Sequence, residues 1–375
     1  MLSDSGYSPF DRFFFPQVHS PTLLLNALPP HLGLVLGGAD RLELHRWMLA
    51  GYVQPGTDTY KAHYGAAAGY LNNMIAPAFL IAQGSLVDWR NEVADETDPM
   101  ITYHEEHRTR DVVGAIGYTY RGTLTGTLGG VYTDDFSQRE TDPSLHVHVG
   151  GPSATLQWYS AESTRYTGPR RALLVGGQVA YYPETWSTFM GNITDAGGTL
   201  GVTLPLPVGR RHTVSAFARG RTLIAPGETG LLQVGGDSAL GFVWQRSNKM
   251  DPAPFDDIRF PPNLRFVEPL RGYEDYAITS DQVVLGEVAW KYPLIIDRGV
   301  ASAWFLPAHY LRQLDLELFA AGAITDREDK HYDVGAAATL RLQFLRIPLA
   351  VTYQIARRLV DDEALTQFVG IGPDL

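Results

Sequence analysis

The chain contains no cysteine among its 375 residues. This absence excludes disulfides, thiolate metal sites and a cysteine nucleophile, and it suits an oxidising compartment, where stray thiols are a hazard. Charged residues make up only 19% of the chain, the formal net charge is −11, and no run of lysine or arginine occurs. An electrostatic basis for nucleic-acid binding is therefore absent, and we exclude that class of function.

Long apolar runs are also missing. The most apolar stretch, PTLLLNALPPHLGLVLGG, is interrupted by Pro29 and Pro30. A transmembrane helix needs about 20 consecutive apolar residues, and the sequence contains no such run. The leading MLSDSGYSPFDRFFFPQ has neither the basic region nor the apolar core of a signal peptide. We therefore expect that a leader was removed or, as we favour, that the chain is a piece of a longer protein. Any membrane span would consist of strands.

What the sequence does contain is glycine, with 38 residues, aromatic side chains, at 11%, and an alternation of period two. Segment 60–70 places tyrosines at both ends of one apolar face, whereas its other face is polar or very small. Segments 334–344 and 347–355 repeat this arrangement. A soluble sandwich would carry many Lys and Glu residues on its polar face, but these faces carry Gly, Ala, Thr, Gln and isolated charges. The pattern predicts lipid-facing strands around a polar lumen.

Sixteen segments of this kind are predicted to form one closed antiparallel, all-β transmembrane barrel. They lie near 32–38, 42–53, 60–70, 74–89, 109–121, 123–133, 145–160, 171–183, 197–205, 211–222, 237–246, 283–294, 311–323, 334–344, 347–357 and 366–372. Residues 1–31 do not alternate, so we interpret them as a lead-in segment or the remnant of a connection to an upstream domain. The barrel would then occupy 32–375. Its longest connection, 247–282, is too long for a hairpin turn.

Four short motifs follow one another in the last third of the chain. They are LRGY at 270–273, GEVAWKYPL at 286–294, LELFAAG at 316–322 and the final FVGIGPDL. In this order they resemble the V/L-R-G-Y/F loop, the E-y-r-f-P-L strand, the F-x-D-x-G strand and the C-terminus of the Omp85 superfamily. That superfamily comprises the BamA- and TamA-like assembly barrels and the two-partner secretion transporters. By motif the resemblance covers about residues 255–375, and elsewhere it covers the architecture only.

The resemblance implies a bacterial outer-membrane location and a role in inserting or translocating polypeptides. The implied partners are outer-membrane lipid, a client polypeptide and an upstream periplasmic domain. The stretch YSPFDRFFFP resembles the start of barrels fused behind a TolB-type propeller, which would be that domain. The chain departs from the family at two positions, because Ala320 stands where the acidic partner of the motif arginine is expected and Leu375 stands where an aromatic residue is typical.

Arg271 therefore needs a different carboxylate partner. Simple alternation places Glu287 on the inward face of its strand, and Asp315 and Glu317 lie on the next strand. We expect Arg271 to pair with Glu287, or with Glu317 if a β-bulge turns that acidic face inward.

Together with Gly272 and Tyr273, Arg271 would hold the loop 247–282 in the lumen as a plug. The alternative is an ordinary loop motif with a solvated arginine.

Closure between the first predicted strand, 32–38, and the last, 368–372, is expected to be short or weak. Glycine packs poorly in a strand and proline lacks a ladder donor. The seam residues concerned are Gly33, Gly37, Gly38, Phe368, Gly370, Gly372 and Pro373. An openable seam would pair with a client strand by β-augmentation.

No catalytic constellation, metal site or cofactor site is predicted. HEEH at 104–107 is not H-E-x-x-H, His146 and His148 supply only two ligands, and GGDSALG at 235–241 lacks the spacing of a nucleophile elbow. The aromatic stripe of 60–70 fits a membrane girdle better than a sugar-stacking platform. Two alternatives to the Omp85-type function stay open. They are a passive outer-membrane pore or ligand channel, and a soluble β-rich binding domain.

Overall fold

The computed structural model describes most of the chain. The described residues are 12–25, 30–56, 62–94, 102–139, 145–164, 168–207, 211–227, 229, 232–234, 270–273, 278–303, 306–326, 329–344, 347–360 and 364–373. The strands are β1 Val18–Leu24, β2 His31–Ala39, β3 His45–Gln54, β4 His63–Asn72, β5 Ala78–Ala94, β6 Thr102–Tyr120, β7 Leu124–Arg139, β8 Leu145–Thr164, β9 Gly168–Tyr182, β10 Ile193–Pro205, β11 Thr213–Ile224, β12 Leu232–Val234, β13 Ile278–Ser280, β14 Gln282–Ala303, β15 Leu306–Thr325, β16 Lys330–Phe344, β17 Ile347–Arg358 and β18 Leu365–Pro373. A 3₁₀ turn, Glu184–Trp186, follows β9.

Sixteen of these strands form one closed antiparallel barrel, in which each strand pairs with its neighbours in chain order and β1 closes against β18. The strands β12 and β13 form a separate two-stranded ribbon, and β11 pairs directly with β14. The predicted closed barrel of sixteen strands is therefore confirmed. Among the described residues, no helix has the length and hydropathy needed to cross a membrane.

One strand assignment from the sequence needs correction. Strand β1 lies inside 1–31, which we had interpreted as a lead-in segment. It was missed because Pro21 interrupts its alternation. A strand tolerates a proline at a position where the backbone N–H would have no hydrogen-bond partner on the neighbouring strand. The predicted strand 237–246 lies outside the described residues, and in the barrel β11 pairs directly with β14.

The two faces of the strands differ as the alternation predicts. Along β4 the inward residues are buried and the outward ones exposed, so Ala67 is buried while Tyr64 points outward. The outer surface is a continuous apolar band. It includes Leu34, Leu49, Val112, Ile116, Leu128, Leu156, Val175, Leu200, Val284, Leu318 and Tyr353, all exposed. An apolar band of this extent needs hydrocarbon around it rather than water.

The lumen holds both polar pairs and an apolar core. On its wall, Arg221 makes two hydrogen bonds to Asp195, of 2.9 and 2.6 Å, and neither side chain is more than 3% exposed. The apolar core combines inward side chains of β6–β11, β14 and β15 with three residues of the long connection after β11. Those three are Leu232, Leu270 and Tyr273. The described part of the connection therefore fills the lumen rather than lying outside it.

The two ends of the barrel differ in the length of their connections. At the end where β18 finishes, which we call the turn end, seven connections run from two to seven residues. The opposite end, the loop end, carries the long connection between β11 and β14. The short turns and the long connection therefore lie at opposite ends of the barrel.

Candidate functional site

The LRGY turn lies inside the barrel, packed against its inner wall. The amide of Tyr273 donates to the carbonyl of Leu270 at 3.1 Å, which closes a tight turn. Leu270 is fully buried and Tyr273 is only 4% exposed, and both belong to the apolar core that includes Leu285 of β14 and Ala323 of β15. The two apolar residues of the motif therefore fix the turn, and the two residues between them face the strands.

Arg271 occupies a charge-balanced network on β14 and β15. Its Nη2 donates to Glu287 Oε1 at 3.0 Å and lies 2.9 Å from Glu317 Oε1. Lys291 Nζ lies 3.4 Å from the other oxygen of Glu317, and the guanidinium carbon sits 4.3 Å from the ring centroid of Phe319. Two cations thus meet two carboxylates in a mostly buried place, where an unpaired charge would be costly.

Regular alternation on two paired strands builds this network. On β14, Glu287 and Lys291 share the inward face with Leu285, and Lys291 is the direct cross-strand partner of Glu317 on β15. The ladder from Val283 to Pro293 shows no register shift. Glu317 therefore faces the lumen without the bulge that we had considered necessary, and Arg271 contacts both predicted carboxylates.

Ala320 points away from the lumen. It is exposed, and its cross-strand partner is the outward residue Val288. A carboxylate at this position would enter the lipid-facing surface, so Glu317 supplies the inward charge of this strand instead. The third candidate, Asp315, also faces inward but is bound elsewhere, since Arg341 Nε lies 3.3 Å from its carboxylate.

Gly272 attaches the turn to the last three strands. Its amide donates to Asp333 Oδ2 of β16 at 2.7 Å, and its carbonyl accepts from Arg358 Nε of β17 at 2.8 Å and from Thr366 Oγ1 of β18 at 2.9 Å. A Cβ at this position would lie 2.8 Å from the Cβ of Asp333, so only glycine allows this close approach. Sequence reasoning did not find these three partners.

Tyr273 completes the attachment. Arg358 lies over its ring, with 4.7 Å from the guanidinium carbon to the centroid, and the ring of His331 meets it edge-on at 5.5 Å. The turn thus contacts five consecutive strands, β14 to β18, through Arg271, Gly272 and Tyr273.

The described ends of the long connection are also tied to the barrel. The amide of Leu223 donates to the carbonyl of Asp281 at 2.7 Å, and the carboxylate of Asp281 accepts from the amide of Thr229 at 2.7 Å. Ser280 Oγ donates to Asp326 Oδ1 at 2.7 Å, which links the connection to the end of β15. The predicted loop began at 247, but residues 235–269 lie outside the described residues. The connection itself spans 225–281 between β11 and β14.

The seam between β1 and β18 is short. Among the described residues, these strands pair only at Leu23–Ile371 and Leu24–Gly370, and the amide of Leu25 donates to the carbonyl of Val369 at 2.8 Å. In contrast, β1 pairs with β2 over its full length.

Two prolines stand at the next step of this ladder. Hydrogen-bonded pairs in an antiparallel ladder recur every second residue, so the pair of Leu25 with Val369 is followed by Leu23 with Ile371. The following position would oppose Pro21 and Pro373, neither of which has an amide hydrogen. The ladder therefore lacks both donors at this step.

Three of the seven predicted seam residues lie on a strand that does not form the seam. Gly33, Gly37 and Gly38 belong to β2, between β1 and β3, because β1 was not recognised as the first strand. Gly33 allows a close approach, since a Cβ there would lie 2.2 Å from Thr22 Oγ1. On β18, Gly370 does lie at the seam. Phe368 and Gly372 are buried residues of the same strand.

The histidine candidates lie on strands β6 and β8. His146 faces outward, is 56% exposed and pairs with Asp134, and His148 lies on the same outward face. The HEEH stretch lies within β6. Within the described part of the chain, no group of three or more potential ligands could hold a metal ion. GGDSALG at 235–241 lies outside the described residues.

No family model and no curated protein matches the sequence. Solved structures do match. CdiB from Escherichia coli has a TM-score of 0.61 and 12% identity, covering 94% of this chain and 62% of CdiB. BamA from Haemophilus ducreyi lacking POTRA domains 1–3 has a TM-score of 0.54 and 12% identity, covering 94% of this chain and 69% of that structure. CdiB from Acinetobacter baumannii has a TM-score of 0.55 and 10% identity, covering 94% of this chain and 58% of that structure.

The chain thus has the barrel fold of CdiB and BamA, and the predicted resemblance to barrels of this kind is confirmed for the fold. It spans less than two thirds of the length of the two CdiB structures.

Proposed function

We propose that the chain is an outer-membrane barrel of Omp85 type that inserts polypeptides into the outer membrane or translocates them across it. The observation that carries this proposal is that one group of strands, β14 to β18, both holds the LRGY turn firmly and ends at a short seam. The apolar outer band supports a position in a lipid bilayer. The short connections support placing the turn end in the periplasm.

In this proposal the turn is a lock for the long connection. Arg271 can be held in the lumen only where carboxylates meet it, because the guanidinium remains charged. Its network with Glu287 and Glu317, together with the three hydrogen bonds of Gly272, fixes the turn to the wall. The described part of the connection then stays in the lumen as a plug, which favours this function over a passive pore.

The seam is the proposed route for the client. Opening a short ladder breaks few hydrogen bonds, each worth about 1 kcal/mol net. The separated edges of β1 and β18 would then expose unpaired amides and carbonyls, to which an extended client segment adds as a strand.

A disulfide across the seam tests the proposal. The chain has no cysteine, so within one molecule Leu24→Cys with Gly370→Cys can form only the intended bond between two directly paired residues. A matched control places Leu200→Cys with Ala218→Cys across β10 and β11, which are paired along their length. The assay offers a denatured eight-stranded outer-membrane protein to proteoliposomes and measures its protease-protected insertion.

We expect oxidation to abolish insertion by the seam variant, reduction to restore it, and the control pair to remain active in both states. Full insertion by the oxidised seam variant would contradict the proposal. Planar-bilayer currents separate it from the passive pore, since a plugged barrel gives small, unstable currents and an open pore large, steady ones. The upstream periplasmic domain, including the TolB-type propeller, stays a prediction that the full-length gene product would test.

A further inference from the structure

The turn end carries an exposed apolar surface on the seam side of the barrel. It is formed by residues before β1, in the β2–β3 turn and in the β4–β5 turn. We call it the apolar rim, and its members, each more than half exposed, are Phe14, Phe15, Leu42, Met74 and Ile75. Five large apolar side chains at neighbouring turns are unusual for a surface in contact with water.

The three segments of the apolar rim are fastened to one another. Trp47 Nε1 donates to the carbonyl of Phe13 at 2.5 Å, and Gln17 Nε2 donates to the carbonyl of Ala39 at 2.8 Å. The amide of Asn73 donates to the carbonyl of Leu44 at 2.7 Å, which joins the two turns. The rim is therefore a built surface rather than a chance grouping of side chains.

Tyr70 shows how far along the barrel axis the apolar rim lies from the lipid-facing band. The outward face of β4 runs from Tyr64 through Ala66 and Ala68 to Tyr70, so tyrosines bracket its small apolar residues. Aromatic residues of this kind mark the boundary between hydrocarbon and headgroups. The ring of Phe13 meets Tyr70 edge-on at 6.4 Å. The rim therefore continues the lipid-facing band at the headgroup level of the turn end.

The β6–β7 turn at the same end has a different composition. It consists of Arg121, Gly122 and Thr123, and Arg121 is exposed. Apolar exposure is therefore not a general property of turns at this end. Arg12, which is exposed and precedes Phe13, adds a cation suited to lipid phosphate beside the rim.

We propose that the apolar rim is a membrane-interface anchor, whose side chains insert between the headgroups and acyl chains of the periplasmic leaflet. It would fasten β1 to β4, on one side of the seam, to lipid. The partner is the lipid itself, because burial of apolar groups in the boundary region is the interaction that interfacial aromatic and aliphatic residues make. The inference rests on the membrane orientation given under the proposed function.

Single labelled cysteines in nanodiscs of phosphatidylethanolamine and phosphatidylglycerol test this anchor. Phe15→Cys carries an environment-sensitive NBD label on the rim, Arg121→Cys is the matched control at the same end, and Leu49→Cys reports the lipid-facing band. Each variant has one thiol, since the chain has no cysteine. The readouts are reduction by aqueous dithionite and quenching by lipids that carry a nitroxide near the headgroup.

We expect dithionite to reduce the label at position 15 about tenfold more slowly than the label at position 121, with strong quenching from lipid. Equal rates at positions 15 and 121, with position 49 protected, would overturn the anchor alone. Protection at position 15 without lipid quenching would assign the rim to protein contact and would also overturn it. An accessible label at position 49 would instead refute the membrane barrel on which the proposed function depends.

Discussion

The inner wall formed by β14 to β18 and the seam between β1 and β18 share one strand, yet they are held in different ways. At the wall, the LRGY turn is attached by side chains, with Arg271 against two carboxylates and Gly272 bonded to three strands. At the seam, the attachment among the described residues is a short backbone ladder, and its next step would oppose Pro21 and Pro373.

The difference shows that strands β14 to β18 can be held together firmly by contacts on their inner face, while the edge strand β18 pairs only weakly with β1. Hydrogen bonds and ion pairs to the turn link the five strands to one another, so opening the seam need not loosen the wall. The turn would stabilise β14 to β18 as a unit while β1 separates from β18.

The largest effect is expected for Arg271→Ala. Its loss removes the cation that contacts both Glu287 and Glu317, and breaking a mostly buried ion pair costs about 3 kcal/mol. Urea unfolding from vesicles, followed by tryptophan fluorescence, measures this loss, and planar-bilayer currents should become larger and steadier as the plug is released. The control is Arg171→Ala, since that arginine forms an exposed pair. An Arg271→Ala variant as stable and as closed as this control would refute the lock.

Gly272→Ala should cost about 2 kcal/mol, because the added Cβ would lie 2.8 Å from the Cβ of Asp333 and would displace the turn from β16. The same urea titration measures it. Combined with Arg271→Ala, the losses should not add, since both changes detach one turn. Fully additive losses would show that the two attachments act independently. Gly227→Ala, where a Cβ would have open space, is the matched control.

A smaller effect, about 1.5 kcal/mol, is expected for Ala320→Glu. The family pattern places an acidic residue at this position, but in this barrel the side chain faces lipid, where a carboxylate is unfavourable. The variant should be less stable in vesicles and should not rescue Glu317→Gln. Recovery of stability in the double variant would show instead that position 320 reaches the lumen.

These residues also show how far the sequence alone leads. Alternation on β14 sufficed to place Glu287 inward, and the LRGY motif identified Arg271 as its partner. On β15 the outward residues Leu314, Leu316 and Leu318 already implied an inward Glu317, but the motif comparison drew attention to Ala320 and to an unnecessary bulge. Period-two patterns of this kind are local, and they were reliable.

Contacts between distant parts of the chain were not predictable in this way. The partners of Gly272 lie 61 to 94 residues further along the chain, and no local pattern connects them to the turn. Asp333 and Arg358 could have been noticed only as charged residues at inward positions of β16 and β17. The first strand was missed for a different reason, because Pro21 both breaks its alternation and faces the seam.

Strengthening the seam gives the smallest expected change in stability and the most direct test of the comparison. Pro21→Val with Pro373→Val would supply two amide donors at the next hydrogen-bonded step of the ladder. We expect a gain of about 1 kcal/mol in stability, and slower hydrogen exchange at the Leu23 and Leu25 amides. Insertion of the denatured eight-stranded protein should slow about fivefold, because the seam must open first.

The control for the seam change is Pro152→Val, which makes the same substitution on β8, away from the seam. It should leave both the exchange of the Leu23 and Leu25 amides and the insertion rate unchanged. If the double proline variant protects these amides and yet inserts client at the original rate, the seam is not the route that the client takes. If Arg271→Ala then slows insertion more than the proline change does, the inner wall rather than the edge would control the reaction.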